Sequence, residues 1–279
     1  MDVGRGASVR AFVATQHEAI VVFPDPTLGN VYTEFANSAN NGPWGDAFVS
    51  ELAPRVDALF RTAGRYVAGH SSGAWAALWL QTTYPYLFDG AWAYAPDPVD
   101  FHDFVGPDLT VSAPGNFYER NSNEPYTTVR KGWQDLETMR EFVGGAYYPI
   151  MTDQFLSFEA VFSPKGADGT AELLFNRSTG VIDPTVAAYW EAHYDITSLV
   201  IARWARIGPL LARKIHLLVG TQDTFHLDGP AHRFCNVLAF LNAQAECTFV
   251  LGADHGSILR SHAGYERHIV DEIFLTTAG

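Results

Sequence analysis

Short apolar runs rich in β-formers recur along the chain, at 19–23, 65–70, 90–95, 214–219 and 247–251, each followed by turn residues and then a helical period. Such alternation predicts a mostly parallel sheet flanked by helices, an α/β fold. Between the first two runs, Phe48, Leu52, Val56, Leu59 and Phe60 recur at threes and fours, predicting a helix that Pro54 kinks. Residues 74–81 predict a helix that is apolar throughout, and 229–241 and 264–274 predict closing helices.

The rhythm breaks once. Residues 96–213 separate the third run from the fourth, a gap far longer than the others, so they form an insertion in a single domain spanning 1–279. Within it, 158–162 and 171–176 flank a turn-rich stretch and predict a hairpin. Asp183 and Pro184 supply an N-cap and a first-turn proline for a helix running to about Arg203. Long insertions of this kind tend to build substrate-facing walls. Trp133, Tyr147, Tyr148, Phe155, Trp190 and Trp204 would suit an apolar or aromatic acyl group there, and core packing accounts for them equally well.

Composition narrows the function. With 279 residues, 47% of them apolar, the chain can bury a sizeable core. A balance of 18 basic against 31 acidic residues argues against nucleic acid and anionic membranes as partners. No apolar run approaches the roughly 20 residues of a membrane span. Residues 1–10 lack the layout of a signal peptide, so a cytoplasmic protein is expected. Cys235 and Cys247 read as buried thiols, a single bridge being the alternative, and neither has zinc-site spacing, so no metal is expected. The sequon Asn176-Arg177-Ser178 matters only in a glycosylating host.

Candidate chemistry gathers at Gly69-His70-Ser71-Ser72-Gly73, between a predicted strand and an apolar helix. A serine hydroxyl is a weak nucleophile that needs exposure, a base and fixed donors for an oxyanion. A G-x-S-x-G turn between strand and helix provides the exposure, and the backbone N–H of Ser72 provides one donor. His70 should point away from the Ser71 hydroxyl and pack, and Trp75 and Trp79 read as core. An acid and then a histidine should follow at later strand ends. Asp223, after the fourth run, and His255, after the fifth, meet that order. Asp97 and Asp100 after the third run are rival acids, His226 is a rival base, and Asp254 reads as a loop residue.

Together Val22-Phe23-Pro24-Asp25, the stretch 69–75, Gly220-Thr221-Gln222-Asp223-Thr224-Phe225 and Gly252-Ala253-Asp254-His255-Gly256 resemble the esterase branch of the α/β-hydrolases. That group includes esterase D (S-formylglutathione hydrolase), feruloyl esterases and mycolyltransferases. The resemblance implies an α/β-hydrolase fold and hydrolysis of small carboxylic esters without a cofactor. Its motif places the nucleophile on Ser71, the acid on Asp223 and the base on His255.

The chain departs from this family at its front. Several strands normally precede the one resembling 19–23, and one of them leads to the second oxyanion donor; here only 18 residues precede it, and 7–17 reads as helical. The chain begins partway into a longer protein that could also have carried a leader, or the 19–23 strand lies beside the nucleophile strand, or another subunit fills the gap. An open front edge would invite a homodimer. An acyltransferase with the same three residues, and a non-catalytic binding protein on the same fold, are the alternatives to a serine carboxylesterase.

Overall fold

The computed structural model describes residues 19–110, 115–120, 124–145 and 152–258. After two short antiparallel ladders, 27–28 with 31–32 and 37–38 with 42–43, the chain enters a helical run. This passes from α1 (Trp44–Ala47) through a π-helical stretch (Phe48–Leu52) into α2 (Ala53–Leu59), with Pro54 in the first turn of α2. Strand β1 (Tyr66–His70), helix α3 (Ser72–Thr83) and strand β2 (Gly90–Tyr94) follow. The insertion carries a hairpin, β3 (Thr127–Lys131) and β4 (Gln134–Thr138), then α4 (Met139–Val143), α5 (Thr152–Phe162), α6 (Pro184–Tyr194) and α7 (Ile196–Leu211). The chain then returns through β5 (Ile215–Gly220), α8 (Asp228–Phe240) and β6 (Glu246–Val250).

Strands β6, β5, β2 and β1 form one sheet in that order, every neighbour parallel. β2 is buried at all its positions, which is why its sequence is apolar without alternation. α3 is apolar on every side because the sheet covers one face and the insertion covers another. Trp75 and Trp79 stack at 5.3 Å, Trp75 meets Phe162 at 4.9 Å, and Trp79 meets Tyr194 at 5.7 Å. Burying each such side chain contributes about 1.5–3 kcal/mol. This seam anchors the helix that begins at the candidate nucleophile. Phe155 and Trp190, expected either as wall or as core, are buried among other aromatic rings. Trp133 stands 90% exposed in the β3–β4 turn, and Tyr147 and Tyr148 lie outside the described residues.

Four expectations are corrected. Residues 19–23 are not a strand: Ile20 to Phe23 form no regular element and are exposed, and among the described residues no strand lies beside them. The edge of β1 is correspondingly unpaired among the described residues. The hairpin at 158–176 does not form, because 158–162 is the last part of α5; a single bridge, Lys165 with Ala171, closes the turn, and the insertion's ladder is β3–β4. The helix expected from Asp183 breaks at Asp195, whose side chain accepts from Ser198 N and starts α7, while Asp183 caps α6 as expected. Cys235 and Cys247 are joined in a disulfide that ties α8 to β6. The helix predicted at 264–274 and the helical reading of 7–17 lie outside the described residues. Among the described residues no helix is long and apolar enough to cross a membrane.

Candidate active site

Ser71 sits at the junction of β1 and α3 with φ 59° and ψ −125°, a conformation that is strained for a residue with a side chain. The strain is held by Ser71 N donating to Tyr94 O at 3.0 Å, and by Ser71 O accepting from Ala74 N and Trp75 N. Gly69 makes so sharp a turn feasible: a Cβ there would lie 2.1 Å from Gly73 O. The second glycine of the motif has no such duty, because a Cβ on Gly73 would meet nothing within 4 Å. Ser72 opens α3, so its N–H belongs to the unpaired first turn of a helix, where N–H groups and the helix dipole favour negative charge.

The acid and the base meet at the ends of neighbouring strands. Asp223 follows β5 and is fully buried; its Oδ2 lies 2.8 Å from His255 Nδ1, while its Oδ1 accepts from Phe225 N (2.9 Å) and Leu227 N (3.3 Å). Gly220 allows this approach, since a Cβ there would sit 2.1 Å from Ala253 O in the loop carrying the histidine. Burial pulls the imidazole of His255 down, but the hydrogen bond and charge of Asp223, with the charges of Asp97 and Asp254, outweigh it and hold its pKa above the ordinary value. His70 does not merely pack: its Nε2 lies 2.9 Å from His255 O and its ring 4.4 Å from the His255 ring, so the residue before the nucleophile braces the base. Asp254 accepts from Gly256 N and Ser257 N and shapes that loop.

Asp97, a rival for the acid position, is brought to the nucleophile instead of to the histidine. Ser71 Oγ donates to its Oδ1 at 3.3 Å, and Ser72 Oγ (2.6 Å) and Gln154 Nε2 (2.9 Å) donate to its Oδ2. Burial raises the Asp97 carboxyl, while the bonds from Ser72 and Ser71 and the charge of His255 pull the other way. Glu34 is also buried nearby, with Oε1 unpartnered, and its carboxyl is held well above the usual range by burial and by the charge of Asp97. Neither Glu34 nor Gln154 carries a motif that a single sequence could reveal; each reaches the site only through tertiary packing.

The other rivals are engaged elsewhere. Asp100 pairs with His102 (2.9 Å) and Arg233 (3.2 Å), and His226 lies in the Asp223 turn at φ 58°. Ligand atoms of Asp100, His102 and Asp195 come within 4.8 Å of one another. Those carboxylates are already used, Asp195 by Phe101 N and Ser198 N and Asp100 by Arg233, so a metal would have to displace bonds that hold the fold.

No curated protein matches the chain in sequence. Among solved structures it is similar to FphF, a fluorophosphonate-binding serine hydrolase of Staphylococcus aureus (14% identity, TM-score 0.44, covering 85% of this chain and 66% of that one). It is also similar to a protein from the carboxylesterases of the ammonia-oxidizing thaumarchaeon Nitrososphaera gargenis (12% identity, TM-score 0.47, covering 98% of this chain and 85% of that one). A third is an S-formylglutathione hydrolase of Agrobacterium tumefaciens (16% identity, TM-score 0.41, covering 85% and 61%). The chain therefore spans slightly under two thirds of the staphylococcal and agrobacterial proteins. The family model described as "Putative esterase" matches residues 13–249, a span that holds Ser71, Asp97, Gln154 and Asp223 and stops short of His255. Over most of its length, then, the chain belongs to the "Putative esterase" family.

Proposed function

We propose that the protein is a serine carboxylesterase for small esters, with Ser71 as nucleophile, His255 as base, Asp223 as the acid that orients it, and the Ser72 N–H as an oxyanion donor. The observation that carries this reading is the buried Asp223–His255 pair at 2.8 Å, on the same rim as a serine held at φ 59°. His255 would take the Ser71 proton as Oγ bonds to the ester carbonyl carbon, and the carbonyl electron pair would move onto an oxygen facing Ser72 N–H. Collapse of that intermediate expels the alcohol, which receives the proton from His255. Water, deprotonated by the same imidazole, then attacks the acyl-enzyme; the acid leaves and Ser71 regains its proton. In this resting geometry the Ser71 hydroxyl donates to Asp97, so it must turn towards His255 for the reaction to start.

Replacing Ser71 by Ala should abolish both labelling by a fluorophosphonate probe and turnover of p-nitrophenyl acetate, with the protein still folded. Full turnover in Ser71→Ala would exclude the mechanism. The Cys235–Cys247 bridge favours an oxidising compartment as the site of action.

A further inference from the structure

We propose that Asp97 is a positioning residue of this reaction: it fixes the two elbow serines, ties them through Gln154 to the insertion, and keeps a negative charge beside the Ser71 hydroxyl that hands its proton to His255. The proposal rests on the esterase reading. Three side chains from two separate elements converge on this carboxylate, Ser71 and Ser72 from the elbow and Gln154 from α5. Gln154 Nε2 also lies 3.0 Å from Ser72 Oγ, so the amide, the second serine and the carboxylate close a triangle. Asp97 stands after β2, the strand between the nucleophile strand β1 and the acid strand β5, and its backbone N–H reaches Ser71 O at 3.4 Å.

This placement has two consequences for the chemistry. Ser72 is the residue whose N–H faces the developing oxyanion, and a side chain pinned at 2.6 Å keeps its peptide from turning. The anion also favours a positive imidazole. His255 takes up the Ser71 proton while facing the charges of Asp223, Asp97 and Asp254, with His70 against its ring. The charged and titratable groups that bear on Asp97 in turn are His255 and Asp223 from the strand ends and Glu34 from the segment before α1. No bond to Asp97 forms or breaks; the proton passes from Ser71 to His255.

The test is the pH profile of kcat/KM for p-nitrophenyl acetate in wild type and Asp97→Asn, together with an NMR titration of the His255 ring in both. The substitution should lower kcat roughly 10- to 100-fold with little change in KM, the range for losing hydrogen bonds to a charged acceptor. It should also move the acid limb and the His255 titration to lower pH, because one of the charges that holds the imidazole protonated is gone. Ser72→Ala and Gln154→Ala should lower kcat several-fold and leave the acid limb in place, since Asp97 keeps its charge, and their double variant should lose less than the product of the two.

An unmoved His255 titration in folded Asp97→Asn overturns the proposal. If that variant does not fold, wild-type kcat in both Ser72→Ala and Gln154→Ala overturns it. A wild type that hydrolyses no ester would instead refute the esterase reading, while the His255 titration would still report on Asp97.

Discussion

Removing the bridge between Cys235 and Cys247 should loosen the end of the sheet on which His255 depends. Cys235 lies on α8 and Cys247 on β6, a strand paired on one side with β5 and unpaired on the other among the described residues. The bridge joins residues 12 apart in sequence, and closing a loop of that length in the unfolded chain costs about 3 kcal/mol of entropy. At roughly 2–4 °C per kcal/mol for a chain of this size, reduction or the double Cys→Ala variant should lower the midpoint of thermal unfolding by about 6–12 °C. Ester turnover should fail at lower temperature still, since the loop after β6 carries His255, the proposed base. The assay is a thermal scan with and without reductant, beside a thiol titration of the unfolded protein. That titration should find no free thiol before reduction and both cysteines after it. Two free thiols in protein kept oxidised, or a midpoint that moves by less than about 2 °C on reduction, would refute the reasoning and remove the argument for an oxidising compartment.

Two further predictions use the backbone and one buried acid. Gly69→Ala should yield no folded protein, its Cβ falling 2.1 Å from Gly73 O, whereas Gly73→Ala should fold and melt like the wild type; comparable yields of soluble protein from both would show that the elbow is not as tight as described. Burial raises Asp195 to about 6, so its folded form holds a proton that the unfolded chain, with the ordinary 3.8, releases earlier. Stability from this group is therefore complete below about pH 4 and lost as pH rises through 6, by roughly 3 kcal/mol in all. Urea unfolding of wild type and Asp195→Asn at pH 4 and pH 7 should show that difference, and identical pH dependence in the two would contradict it.

The parts of this molecule that were legible in one sequence are those whose chemistry is local. β2 reads as a central strand because complete burial permits apolar residues on both faces, and α3 reads as apolar throughout for the same reason. The tight turn at Ser71 was legible because it needs a small residue at position 69, and the loops that bring Asp223 to His255 because each follows its own strand. Where two partners far apart in sequence decide the outcome, local pattern misled. Residues 19–23 have the composition of a strand but, among the described residues, no strand beside them, and 158–162 has β-formers that helix α5 absorbs through contacts with Phe104, Phe155 and Trp190. Asp97 is the instructive case. Its position after β2 qualified it as an acid, and only the fold shows that its carboxylate meets the two elbow serines. The carboxylate that reaches the imidazole of His255 is Asp223, whose remaining oxygen is held by two backbone N–H groups, whereas the oxygens of Asp97 are taken by hydroxyls and an amide. Backbone donors cannot turn away, so in the proposed reaction they would fix Asp223 as the acid that orients the base. Side-chain donors can, which would suit a carboxylate that releases the Ser71 hydroxyl when that reaction begins.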